Sequence, residues 1–174
     1  LVSTSLMLVA GRHMIRDPES IGQWPDGDPT PPPRGTLADG RTLAEVRGTE
    51  PFLLITVIYF MTWVPIFVPF VHGPAFAEDL GATKLAAAGV LSAIGIGGLV
   101  GRLCSGVVSD RIGRKPSLLA VFALQAVAFQ MYTLAHAVDT VWAASALFGF
   151  AYGGGVTLLP PLCSDLFGRA HVAA

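Results

Sequence analysis

One arginine stands inside an otherwise uncharged stretch of this 174-residue chain. Arg102 is the only Asp, Glu, Lys or Arg between residues 85 and 109. An arginine inside a membrane helix costs on the order of 3 kcal/mol or more unless it faces protein or water. Its guanidinium is a planar fork of donors that fits a carboxylate in bidentate fashion. The residue therefore predicts a carboxylate-binding position, with a snorkelling or structurally paired arginine as the alternative.

Helical spacing places small and polar residues on the face that contains Arg102. Leu103 and Val107 fall elsewhere around the helix. We interpret this face as the lining of a water-filled cavity in which glycines leave room for a ligand. The residues that share it are Ser92, Gly95, Gly98, Ser105 and Ser109.

Three further side chains are candidates for substrate binding. Tyr59, together with Thr56 and Trp63, gives one apolar segment a polar and aromatic face, and Tyr152 stands beside three consecutive glycines in another. His72 closes the first of these segments, near the predicted outer surface of the membrane. Aromatic packing is the alternative for the tyrosines, and an interfacial histidine without a function is the alternative for His72.

Four charged residues gather in the segment GVVSDRIGRKP, residues 106–116. A carboxylate at Asp110 can accept hydrogen bonds from a neighbouring helix N-terminus, and the cations can pair with it or with lipid headgroups. Gly106 would allow close helix approach, and Gly113 would let the chain reverse. The segment predicts a latch that breaks and re-forms as helices move, or else an ordinary positively charged turn. Its cations are Arg111, Arg114 and Lys115.

Composition indicates a membrane protein. Apolar residues make up 52% of the chain and charged residues 13%, whereas soluble domains carry about 25% charged residues. The net charge of −1 argues against a nucleic-acid partner. Cys104 and Cys163 lie in apolar runs without metal-ligand spacing, which predicts free thiols. The sequence contains no phosphate-binding loop, nucleophile elbow or HExxH motif, so we expect neither an enzyme nor a bound cofactor or metal.

Four segments are long and apolar enough to cross a bilayer, which takes about 20 residues as a helix. We predict spans at residues 51–72, 85–108, 117–137 and 140–164. Backbone polar groups in lipid must be bonded within their own segment unless a barrel closes. The predicted fold class is therefore all-α, a polytopic transmembrane helical bundle with four full spans.

The remaining segments suggest how the chain is oriented. Residues 1–10 resemble the tail of a preceding transmembrane helix, and the proline-rich residues 11–50 a solvated linker. Arginines concentrate in this linker and in residues 109–116, which two spans separate, so both regions should lie on one side. The positive-inside rule makes that side cytoplasmic. We interpret the chain as an internal piece of a longer protein of the plasma membrane, in bacteria the inner membrane.

The charged turn resembles a family signature. GVVSDRIGRKP matches, at every defined position, the G-x-x-x-D-R-x-G-R-[RK] motif of the major facilitator superfamily, found between helices 2 and 3 and between helices 8 and 9. The long upstream linker is similar to the loop between the two six-helix halves. The resemblance implies that the spans are helices 7 to 10, and that residues 51–174 begin the C-terminal half. It also implies a gating role for Gly106, Asp110, Arg111, Gly113, Arg114 and Lys115.

Longer stretches resemble the monocarboxylate and oxalate/formate transporters of that superfamily. IGIGGLVGRLCSGVVSDRIGR, residues 94–114, is similar to their helix 8, in which an arginine at this place holds the substrate carboxylate. FGFAYGGGVTLLPPLCSDLFG, residues 148–168, is similar to helix 10, and TWVPIFVPFVHGPAFAEDLG, residues 62–81, to helix 7. Many proton-coupled members have an aspartate one turn before the arginine, where this chain has Gly98, so proton coupling through such a pair is not implied.

The sequence thus favours a secondary active transporter of small organic anions that works by alternating access. Its expected partners are the anion, a coupling proton or an exchanged anion, the bilayer and the remaining helices of the full-length chain. Two alternatives stay open. One is a carrier of the same superfamily for sugars or drugs, and the other is a non-transporting membrane module packed through small residues such as Gly97 and Gly101.

Overall fold

The computed structural model describes residues 42–167, and these residues form helices and turns without a strand. Four of the helices are long and apolar enough to cross a membrane, so the predicted all-helical membrane fold is confirmed. Residues 1–10 and residues 11–41 of the predicted linker lie outside the described residues. The helices are α1 (Leu43–Val46), α2 (Glu50–Asp79), α3 (Lys84–Ile112), α4 (Arg114–Thr133) and α5 (Val138–Phe167).

Three helix ends lie four or more residues from the predicted ends of the spans, and one of them is the end of α3, at Ile112 rather than residue 108. Helix α2 continues seven residues past position 72, with Pro65, Pro69 and Pro74 inside it, and ends beside Gly81, whose φ of 92° leaves the helical region. Helix α4 ends at Thr133, four residues before position 137. Its last turn closes because the Leu134 N–H bonds to nearby carbonyls. Hydropathy could not locate the ends of α2 and α4, since apolar residues continue through both.

Short-range capping fixes the turns between the helices. The Thr83 hydroxyl accepts a hydrogen bond from the Ala86 N–H at 3.3 Å and caps the start of α3. A single residue, Gly113, separates α3 from α4 and has a φ of 95°. Residues with a Cβ rarely adopt that conformation, so the glycine of the charged turn is required by the backbone.

The long helices alternate in direction, and α5 contacts each of the other three. Helix α2 runs antiparallel to α5, since Tyr59 bonds to Gly155 and Phe70 packs on Phe148. Helix α4 is also antiparallel to α5, because Phe129 packs on Phe148 and Tyr132 bonds to Ser145. Helices α3 and α5 are parallel, and they make the most extensive helix contact in the described residues.

Glycines bring α3 and α5 into backbone contact. A Cβ on Gly97 would lie 2.2 Å from the Ala146 carbonyl oxygen, and one on Gly101 would lie 2.1 Å from the Phe150 carbonyl oxygen. Gly149 of α5 shows the reciprocal approach, 2.2 Å from the Ile94 carbonyl oxygen. Such distances are possible only without a side chain. Small residues four apart on both helices therefore fix the α3–α5 pair, as in membrane helix pairs generally.

The alternating directions collect the basic residues at one end of the bundle. The start of α2 meets the end of α5 through Phe52 and Phe167, and the α3–α4 turn meets the same end through Arg114 and Asp165. We call this end, which carries Arg47, Arg111, Arg114 and Lys115, the basic end. The opposite end carries Glu78, Asp79, Lys84 and Asp139.

Candidate functional site

Arg102 lies in the interior of α3 and is exposed at the surface of the described bundle. Its side chain folds back along the helix, because Nη1 lies 3.8 Å from where a Cβ of Gly98 would stand. The ion pairs that residues 42–167 form both involve Arg114, so Arg102 has no carboxylate partner among them. Its guanidinium is available to a ligand or to another part of the intact protein.

The structure divides the predicted small and polar face of α3 in two. Gly98, Ser105 and Ser109 are buried, and Gly98 packs on α5, with Gly98 O 2.2 Å from a Cβ built on Gly153. Ser92 and Gly95 are exposed together with Arg102. The interpretation of the whole stripe as a cavity lining was therefore too broad. Half of it serves helix packing, because close approach to α5 needs the same small residues that a cavity would need.

The exposed surface of α3 contains two strips. The first, which we call the arginine strip, contains Arg102 with exposed Gly95 and half-buried Gly106 within about 40° of it, and it reaches Leu91 about three turns away, which is 43% exposed. The second lies about 100° or more around the helix from Arg102 at 3.6 residues per turn, with Leu99 and Ser92 between the two strips. It contains Ile96, Leu103 and Val107, which are 66%, 67% and 55% exposed. Large aliphatic side chains suit lipid, whereas the arginine strip suits water or protein.

Tyr59 and Tyr152 come together beside a small pocket between α2, α4 and α5. The Tyr59 hydroxyl donates a hydrogen bond of 3.1 Å to the Gly155 carbonyl oxygen. Trp63 packs edge-on against Tyr152 with ring centroids 6.1 Å apart, and Phe148 stacks on Tyr152 at 6.2 Å. Aromatic packing, the alternative that the sequence left open, thus accounts for much of their surroundings.

His72 lines a different cleft, between α2 and α4, with a volume of about 320 Å³. Its walls are almost entirely apolar and include Val68, Phe76, Phe129 and Tyr132. Neither Tyr59 nor Tyr152 borders this cleft. The four predicted substrate-binding residues therefore occupy three places, with His72 apart from the tyrosine pair and Arg102 on the outer surface of α3.

The charged turn forms a cluster of ion pairs at the basic end. Arg114 Nη1 lies 2.7 Å from Asp110 Oδ1, one helical turn back in sequence, and Nη1 also donates to the Ser109 hydroxyl. Its Nε lies 3.5 Å from Asp165 Oδ2 at the end of α5. Arg114 therefore joins α3, α4 and α5. Since Asp110 and Asp165 remain 65% and 57% exposed, each pair adds little to stability and can be exchanged readily.

The remaining members of the turn make fewer contacts. Arg111 and Lys115 are exposed. Gly106 has no atom of residues 42–167 within 4 Å of where its Cβ would stand. The predicted close helix approach at Gly106 is therefore not made within the described bundle, because α5 contacts α3 on the opposite side, through Gly97 and Gly101.

Two polar residues at these sites were missed from the sequence. Asp165 directly follows the last predicted span, which ends at residue 164, and such a position is typical of an ordinary boundary charge. Its ion pair with Arg114 forms because α3 and α5 end on the same side of the bundle. The alternating direction of the predicted spans could have indicated this. Gln125 lies within an apolar run and carries no charge, so the positions of charged residues gave no signal for it. Its side chain is only 6% exposed.

Comparisons with known proteins agree with this architecture. Residues 3–174 match the model of the Major Facilitator Superfamily. The chain is 32% identical over 124 residues to Monocarboxylate transporter 13 of Rattus norvegicus, covering 70% of this chain and 29% of that protein. It is 28% identical over 142 residues to the uncharacterized MFS-type transporter YhjX of Escherichia coli strain K12, covering 80% and 35%.

A third relative is the Oxalate:formate antiporter of Oxalobacter formigenes, 39% identical over 70 residues, or 39% of this chain and 17% of that protein. The chain thus spans about a third of the length of the curated relatives it matches.

Proposed function

The chain belongs to the Major Facilitator Superfamily, and we propose that it forms part of a secondary active transporter that carries small organic anions by alternating access. In this proposal residues 51–174 begin the C-terminal six-helix half, and α2 to α5 are helices 7 to 10 of the intact carrier. The names of two relatives, a monocarboxylate transporter and an oxalate:formate antiporter, support the substrate class. The driving partner is a coupling proton or an exchanged anion.

The observation that carries the proposal is the position of Arg102. It is a permanent cation inside a membrane-length helix, on the strip with Gly95 rather than on the aliphatic strip. It has no carboxylate partner within residues 42–167. A charge so placed is tolerated when it faces water or protein. A small carboxylate in a central cavity would supply the missing anion and use the fork geometry of the guanidinium.

Uptake by the full-length carrier tests this role. Labelled lactate, pyruvate, formate and oxalate should each be offered to Arg102→Lys and Arg102→Ala variants, with rates normalised to protein in the membrane. Removing one partner of a desolvated charge pair costs roughly 2 to 5 kcal/mol, which weakens binding by about 30-fold or more. Lysine keeps the charge but lacks the bidentate fork, so uptake of the true substrate by Arg102→Lys should also fall severely.

Arg47→Lys is the matched control, because Arg47 is exposed before α2 and borders none of the sites described here. Its uptake should equal that of the wild type. Wild-type uptake in Arg102→Lys would overturn the organic-anion assignment. Normal affinity with reduced protein in the membrane would instead mark Arg102 as a structural residue.

We also propose that the ion pairs around Arg114 act as the gate. They join α3, α4 and α5 at the basic end, and their exposed carboxylates make them easy to break. Asp110→Asn should leave apparent substrate affinity within a few fold but slow turnover, since it changes the conformer populations without touching the cavity. Unchanged turnover in reconstituted vesicles would mean that the charged turn only orients the chain in the membrane and does not act as a gate.

Residues 11–50 and 109–116 are proposed to be cytoplasmic. The basic end gathers Arg47, Arg111, Arg114 and Lys115, and such an excess predicts the cytoplasmic side. Single cysteines at positions 115 and 82, in a background without Cys104 and Cys163, test this in intact cells. A membrane-impermeant thiol reagent should label position 82 and leave position 115 unlabelled. The reverse labelling pattern would show that the proposed topology is inverted.

A further inference from the structure

Gln125 is a buried amide in the middle of a membrane-length helix. It lies in α4 and is 6% exposed, and because no fully buried side-chain N or O atom of the described residues lacks a partner, this remaining exposure includes its carboxamide. Its side chain makes no hydrogen bond with any group of residues 42–167, although Tyr132 on the same helix bonds to Ser145. An amide that water can reach and that has no partner in the protein is usually hydrogen-bonded to ordered water.

The side chain of Gln125 borders the small pocket between α2, α4 and α5, which has a volume of about 10 Å³. A water molecule needs about 10 to 15 Å³ of this kind of space and two to four polar partners. The pocket is therefore the size of one water molecule and too small for an organic anion. Its apolar wall consists of Trp63, Ile66, Phe122 and Val156.

Polar groups on two other helices face the same pocket. Thr62 lines it from α2, and because its hydroxyl already donates to the Ile58 carbonyl oxygen at 2.7 Å, its lone pairs remain free to accept. The Tyr59 hydroxyl donates to Gly155 and can likewise accept. Tyr152 borders the pocket from α5. Donors and acceptors on three helices thus surround one water-sized space.

We propose that this pocket holds a single ordered water molecule that Gln125 anchors and that joins α2 to α4. The water accepts from the Gln125 amide N–H and donates to the hydroxyl oxygens of Thr62 and Tyr59. Such a bridge holds helices nearly as well as a direct hydrogen bond and can be remade when a helix shifts. The water site does not depend on the transport proposal. It adds that Tyr59 is positioned through this water.

Hydroxyl-radical footprinting of the full-length protein in lipid nanodiscs tests the water directly. Radiolysis by X-rays splits water where it is bound, and the radicals modify adjacent side chains, which mass spectrometry quantifies. Tyr59 and Tyr152 should be labelled despite their burial. Gln125→Leu removes the anchor with a side chain of similar size, and both tyrosines should then lose most of their labelling.

Gln130→Leu is the matched control, since Gln130 is exposed on the same helix and does not border the pocket. It should leave the labelling unchanged. Thr62→Val removes a partner on a different helix with almost no change of shape, and it should lower the labelling even if Gln125→Leu folds poorly. Full labelling of both tyrosines in folded Gln125→Leu or Thr62→Val protein would overturn the proposal, whatever the transport activity.

Discussion

Gly101→Ala should weaken the contact between α3 and α5. The added Cβ would lie 2.1 Å from the Phe150 carbonyl oxygen, where ordinary contact begins at 3.4 Å. The helices must therefore separate by roughly 1 Å, and the neighbouring contact at Gly97 would be lost with it. Overpacking of this kind costs about 1 to 3 kcal/mol, occasionally more. Replacing glycine by alanine within a helix stabilises the folded state by about 0.5 to 1 kcal/mol.

Gly95→Ala is the internal control for that estimate. Gly95 lies on the same helix, and no atom of residues 42–167 stands within 4 Å of where its Cβ would be. The substitution keeps the gain in helix propensity without the clash. Because the propensity gain is common to both variants and cancels, the difference between them should be the overpacking cost alone, about 1 to 3 kcal/mol.

Thermal unfolding of the full-length protein in detergent, followed by tryptophan fluorescence and by retention of the monodisperse peak, measures this difference. Gly101→Ala should unfold several degrees below the wild type and Gly95→Ala at or slightly above it. Equal stability of the two variants would refute the reasoning, because it would mean that α3 and α5 do not approach through Gly101. Uptake by Gly95→Ala also reports whether the arginine strip tolerates a methyl group.

Further substitutions probe the turn, the ion pair and the tyrosine hydrogen bond. Gly113→Ala should lower the free energy of unfolding by about 1 to 2 kcal/mol, because alanine is strained at a φ of 95°; thermal unfolding equal to that of the wild type would contradict this. Asp165→Asn should change stability by less than about 1 kcal/mol, since its pair with Arg114 is exposed, yet alter turnover in vesicles; a large loss of stability would make the pair structural. Tyr59→Phe should cost about 1 kcal/mol through the lost bond to Gly155, and an unchanged unfolding temperature would exclude that bond.

The sequence predicted the elements better than their contacts. Long uncharged runs predict membrane helices because lipid leaves the backbone few alternatives, and the four spans were found with ends differing by a few residues. The ends of α2 and α4 were missed because capping near Gly81 and Leu134 is local, whereas hydropathy averages over a turn or more. The positive φ of Gly113 agrees with its predicted role in reversing the chain.

The candidate site was only partly predictable. Arg102 could be singled out because a charge in an apolar helix is costly whatever surrounds it. The small residues around it were ambiguous, since Gly98 and Gly95 are alike in sequence while one packs on α5 and the other is exposed. Tyr59 and Tyr152 border one pocket, but nothing in their spacing showed that His72 would border another.

The sequence by itself therefore determined that this is a helical membrane protein, where its charges lie and which superfamily signature it carries. These properties depend on single residues and on local hydropathy, which neighbouring helices do not alter. The tertiary structure alone decided that α3 packs on α5 through glycines, that Asp165 joins Arg114, and that Gln125 borders a water-sized pocket. Each of these contacts joins residues distant in the chain, and their proximity depends on how closely the helix backbones approach.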